Sequence, residues 1–102
     1  MMLPGGARAK AAEKIEALAK GESVLLHVNP KNLISQQSRN EMTGSVIKRL
    51  EKDMRINGFD KNQPVTAVVR SDGRLVISDG HHRTQAAIRA GITEIPVEVF
   101  KP

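Results

Sequence analysis

The chain has 102 residues, 39% of them apolar and 26% charged, enough for one soluble domain with a modest core and too few for two. It contains no Cys, which excludes disulfides, thiolate metal centres and a cysteine nucleophile. Sixteen Lys and Arg against eleven Asp and Glu give a net charge of +5, which favours an anionic partner such as a nucleotide or nucleic acid.

Phe59 and Phe100 are the only aromatic residues, so phosphates, not base stacking, must carry any such binding. No apolar run approaches the roughly 18 residues of a membrane span, and Met1 to Gly6 lacks the apolar core of a secretory signal.

Gly5-Gly6 reads as a hinge before a helix over Ala7 to Lys20, where Ala, Glu and Lys dominate, Ala11, Ile15 and Leu18 share a face, and Gly21 is a stop. With its thin apolar stripe, the segment 1–21 is expected to be an N-terminal linker helix and 22–102 the domain proper. Ser23 to Val28 is a β-type run ended by Asn29-Pro30. Within it, His27 stands alone and reads as a core or edge residue, not a ligand. Leu33 to Gly44 is polar and without period, the kind of long loop that often carries function. Thr43 or Ser45 can cap the next helix, whose face is Val46, Ile47, Leu50 and Met54 and whose end is Asn57-Gly58. Val65 to Arg70 and Arg74 to Ser78 form a hairpin about Ser71-Asp72-Gly73. A helix over His82 to Ala90, stopped by Gly91, and a strand over Ile95 to Phe100 complete a small α/β (α+β) fold, a mixed sheet flanked by helices.

The chemistry concentrates where the second hairpin strand runs through Asp79-Gly80 into a helix. First-turn N–H groups lie unpaired at such a point, the helix dipole favours an anion, and Gly80 lets a phosphate approach the backbone. Asp79, Gly80, His82, Arg83 and Thr84 are the candidate phosphate site, with the Arg83 fork suited to phosphate oxygens. His81 and His82 can donate to phosphate or relay a proton, which makes both catalytic candidates. Adjacent helical residues project about 100° apart, so the two His are poor joint metal ligands. No protein metal site is therefore assigned, although one His with Asp79 or Glu41 can hold Mg²⁺ that arrives with a nucleotide. In the long loop Glu41 is the one carboxylate and the candidate general base, flanked by Gln37, Ser38 and Arg39.

The order NPKNL, RLEKDMRINGF, QPVTAVV and RLVISDGHHRTQAAIRAGITEIPVEVF resembles the ParB/sulfiredoxin superfamily over Val28 to Phe100. In ParB proteins the corresponding junction carries a Gly-Glu-Arg-Arg type motif for nucleotide phosphates. Gly80 and Arg83 match its ends, whereas His81 and His82 replace its middle. Sulfiredoxins place a catalytic Cys where this chain has His81, so their reaction is ruled out. The Asp-Gly-His-His-Arg form is more similar to free serine kinases of the same fold and to ParB-like C-terminal toxin domains of bacterial polymorphic toxins, of the Rhs or contact-dependent inhibition type. The toxin domains also share a stretch like QSRNEMTGS.

That resemblance implies an effector fused to an upstream delivery protein, acting in the cytoplasm of a target bacterium and neutralised by an immunity protein. Its expected activity is phosphohydrolase, as NTPase or nuclease, with Glu41 or His81 orienting the nucleophile. A non-catalytic nucleotide- or DNA-binding module and a small-molecule kinase are the alternatives.

Overall fold

The computed structural model describes residues 13–36 and 44–102. After a short helical stretch that ends by residue 17, the described residues form five strands, β1 (Ser23–Val28), β2 (Leu33–Ile34), β3 (Val65–Val69), β4 (Leu75–Asp79) and β5 (Ile95–Phe100), with helix α1 (Gly44–Asn57) between β2 and β3 and helix α2 (His81–Arg89) between β4 and β5. They form one sheet of order β1-β5-β3-β4-β2. β1 pairs antiparallel with β5 and β3 antiparallel with β4, whereas β5–β3 and β4–β2 are parallel. The expected mixed sheet with flanking helices is the observed architecture.

Alternation along the strands sends one set of side chains toward the helices. Leu26, Val65, Ala67, Ile77, Ile95, Val97 and Val99 join Ile47 and Met54 of α1 and Ala86 and Ala87 of α2 in one core. The small Ala pair lets α2 lie close against the sheet, and Val65, Ala67, Ile95, Val97 and Val99 are fully buried. α1 is tied to α2 at its far end, where Arg55 Nη2 donates to the Arg89 carbonyl at 2.7 Å. Half-buried Glu51 holds the same, more exposed guanidinium at 2.8 Å.

Several boundaries differ from the sequence reading. Helical structure in the first segment ends by residue 17, not at Lys20. The chain must turn there because Gly21 N donates to the Lys101 carbonyl and Lys101 N to the Glu22 carbonyl, which prolongs the β1–β5 ladder. The Lys101 ammonium reaches back to the Glu16 carbonyl at 3.3 Å, and Ile15 packs against the core. Leu33 and Ile34, assigned to a loop, form the short parallel strand β2 on β4. α1 begins at Gly44, so Ser45 is its second residue and not its cap; Thr43 lies outside the described residues. The hairpin is as expected, with Arg70 N donating to Arg74 O at 2.8 Å across the three-residue loop. α2 closes with paired bonds, Ile92 N to Ala87 O and Gly91 N to Ile88 O, the Schellman arrangement that a Gly just past a helix end permits. His27 is an exposed residue of the edge strand β1.

Candidate phosphate-binding junction

The junction is prepared by an irregularity in β4. Ala67 opposes Ile77, but the next residue, Thr66, opposes Asp79 and not Ser78, so the register shifts by one residue. Such a bulge re-aims the side chains that follow it. Here it turns the chain into Gly80, the residue preceding α2, which has φ +101° and ψ 27° and provides no side-chain cap. Asp79 is thus the last strand residue, not the helix cap. A Cβ on Gly80 would lie 3.0 Å from Val65 Cγ2 and 3.1 Å from Arg83 Nη2. Both the left-handed backbone and this close approach require glycine.

The first helical bond is Thr84 N to Gly80 O at 2.9 Å, so the N–H groups of His81, His82 and Arg83 precede the intrahelical ladder. Asp79, Gly80, His81, His82 and Arg83 line a cavity of about 220 Å³ at this point. Arg83 is held by a hydrogen bond from its Nη1 to the Gln63 carbonyl, and its Nη2 lies 3.8 Å from Asp79 Oδ2, a weak, solvent-screened contact. The guanidinium is mostly buried while the Asp79 carboxylate is 82% exposed, so the cation is oriented by protein and the acid remains accessible. His81 Nε2 is buried with no hydrogen-bond partner, an omission that typically costs about 1–3 kcal/mol.

Five of the expected phosphate-site and catalytic residues, Asp79 to Arg83, therefore meet at one cavity. Thr84 does not line it. This residue is 3% exposed, and its hydroxyl donates to the Gly80 carbonyl at 2.8 Å, so it fixes the turn from beneath. Gln37, Ser38, Arg39 and the candidate base Glu41 lie outside the described residues. Sequence reasoning missed Gln63 because it contributes a backbone carbonyl, an atom every residue has. It also missed Val65, whose side chain sets the space at Gly80. Among the described residues no group of three His, Asp or Glu side chains converges to hold a metal, and no helix is long and apolar enough to cross a membrane.

A mixed sheet covered by α1 and α2, with a glycine turn and a tethered arginine at a strand-to-helix step, defines a small α/β domain. The chain belongs to the ParB N-terminal domain family, whose model matches residues 7–102. A probable chromosome-partitioning protein ParB of Treponema pallidum is 37% identical over 78 residues, covering 76% of this chain and 22% of the relative.

Among solved structures, the C-terminally truncated chromosome-partitioning protein ParB from Caulobacter crescentus, complexed with CTP-gamma-S, superimposes with a TM-score of 0.65 at 24% identity. The match covers 78% of this chain and 45% of that one. Sulfiredoxin from Arabidopsis thaliana gives a TM-score of 0.64 at 19% identity, covering 78% and 86%. The two structures establish the ParB/sulfiredoxin-like fold. This chain spans less than half of either ParB relative.

Proposed function

We propose that this domain binds a nucleotide with its phosphates at the Asp79–Arg83 junction. The observation that carries the reading is the meeting, at one turn, of a left-handed Gly80, the first N–H groups of α2 and an Arg83 guanidinium already held by the Gln63 carbonyl. Charge is then recognised without much reorganisation, since the cation is held before the ligand arrives. The Caulobacter relative is complexed with CTP-gamma-S, which makes a ribonucleoside triphosphate the first ligand to try. Mg²⁺ would be bound mainly by the phosphates, with the exposed Asp79 carboxylate as the protein's contribution.

The test is calorimetric titration of the domain with CTP, ATP, GTP and UTP, each with Mg²⁺ and with EDTA, beside Arg83→Gln. Binding of at least one nucleotide is expected. The variant should weaken it about tenfold or more, the equivalent of one charge-assisted hydrogen bond. No heat and no chemical-shift change with any nucleotide, in a protein shown to be folded, would overturn the reading.

A second reading adds hydrolysis and a toxin role. The hydrolysis is favoured by the unpartnered His81 Nε2 beside the cavity, and the toxin role rests only on the resemblance of the Asp-Gly-His-His-Arg form to toxin domains. Water would add to phosphorus as the leaving phosphate or nucleotide oxygen departs, Glu41 or His81 taking the water proton and His82 and Arg83 facing the developing charge. Product analysis with each NTP, plasmid DNA and RNA tests the chemistry, with His82→Ala and Glu41→Ala as controls. Expression in bacterial cytoplasm tests the delivered-effector role: growth arrest relieved by a co-expressed immunity protein supports it, and normal growth with a turnover-competent domain removes it.

A further inference from the structure

A larger cavity adjoins the junction and shares His81 with it. Its volume is about 750 Å³, and Gln36, Arg70, Ser78 and His81 border it over Val68 and Val76. Strand alternation and the Val68–Val76 register place those two valines on the sheet face opposite the core. Val76 is 8% exposed yet does not belong to the core cluster. The size is that of a small-molecule site, and so is the make-up, an apolar floor with a few polar groups at the rim.

The rim carries one cation, Arg70. Arg70, Gln36, Ser78 and His81 all offer hydrogen-bond donors, and none of the described lining residues is a carboxylate. Arg70 is more than half exposed and only 3.8 Å from Asp72, a contact weak enough to exchange. Asp72 would keep Arg74, at 4.0 Å, as a second cation. His81 Nε2 lacks a partner, so a ligand that drew the ring round to meet it would recover an interaction the empty protein forgoes.

We propose that this cavity is a second ligand site, distinct from the phosphate junction, that takes a small organic carboxylate: the hydrocarbon part lies on Val68 and Val76 and the carboxylate meets Arg70 and His81. The site does not depend on the nucleotide reading, because its floor and rim lie outside the Gly80–Arg83 turn except for His81 itself.

The experiment is methyl and amide NMR of the labelled chain titrated with sodium hexanoate and sodium benzoate, with hexanol and benzyl alcohol as neutral controls, before and after saturation with inorganic phosphate. The carboxylates are expected to shift the Val68 and Val76 methyl signals saturably, the alcohols far less. The shifts should persist with phosphate bound, and Arg70→Gln and His81→Phe should each weaken them about tenfold. Arg70 is a surface residue, so its variant keeps the test valid if His81→Phe does not fold.

Methyl signals that stay still, or that move equally with the alcohols, would overturn the proposal. So would a nucleoside triphosphate displacing the carboxylate where inorganic phosphate does not, since the cavity would then house the nucleoside of one shared ligand. Phosphate-induced shifts at Gly80 to Arg83 report separately on the junction, so failure of either site is read on its own.

Discussion

Thr84 lies one helical turn beyond Gly80, and both its N–H and its hydroxyl donate to the Gly80 carbonyl, at 2.9 and 2.8 Å. The same carbonyl thereby anchors the start of α2 twice, at the turn whose residues Asp79 to Arg83 line the junction cavity. Thr84→Val keeps the shape and removes one donor from a buried acceptor that retains the backbone bond. A loss of about 1 kcal/mol in urea denaturation is expected, with Thr84→Ser restoring most of it. Nucleotide affinity should change less than in Arg83→Gln.

Gly80→Ala confronts both the φ of +101° and the 3.0 Å approach to Val65 Cγ2. A destabilisation of about 1–3 kcal/mol is expected from the backbone alone. Chemical denaturation measures it, and inorganic phosphate should no longer shift the amide signals of residues 81–83. A variant as stable as the parent would show that the turn can relax.

Asp79→Asn separates two electrostatic roles of one exposed carboxylate. Without Mg²⁺ the acid repels an incoming phosphate, so its removal should tighten inorganic phosphate binding, by up to about fivefold for a solvent-screened charge. With Mg²⁺ and a nucleoside triphosphate the change should reverse sign, because a metal-facing oxygen has been lost. Calorimetry in EDTA and in Mg²⁺ reads both arms.

Ile77 belongs to the core face of β4 and is 3% exposed. Ile77→Ala should cost about 2–5 kcal/mol as a cavity opens beneath α2. Thermal melts measure it, and Arg55→Ala, on the exposed α1 surface, should cost no more than about 1 kcal/mol.

The elements that the sequence displayed were those with strong local patterns. The β-branched runs of β3, β4 and β5, the four apolar positions of α1 and the Ser71-Asp72-Gly73 turn are set by neighbours within a few residues. That Asp79 to Arg83 share one turn and line one cavity was legible for the same reason, the candidate residues being contiguous. What could not be read depends on distant partners. β2 exists only because Leu33 and Ile34 meet Leu75 and Val76, and the first helix stops early because Gly21 finds Lys101 eighty residues later. The committed hydroxyl of Thr84 was missed because its type fits a phosphate equally well, and only the fold assigns it to Gly80.

The pairing of β1 with β5 has a mechanical consequence. These strands run antiparallel, and the start of one lies beside the end of the other: Ser23 faces Phe100, with Gly21 and Lys101 bonded just beyond. Tension applied between residues 22 and 101 would load the ladder at one rung at a time, from that corner inward, instead of sharing the load across all rungs as a sliding pull would. Under stretching, the edge strand should peel off at low force, while β4 and the turn that follows it, which pair with neither loaded strand, stay assembled until β1 has left.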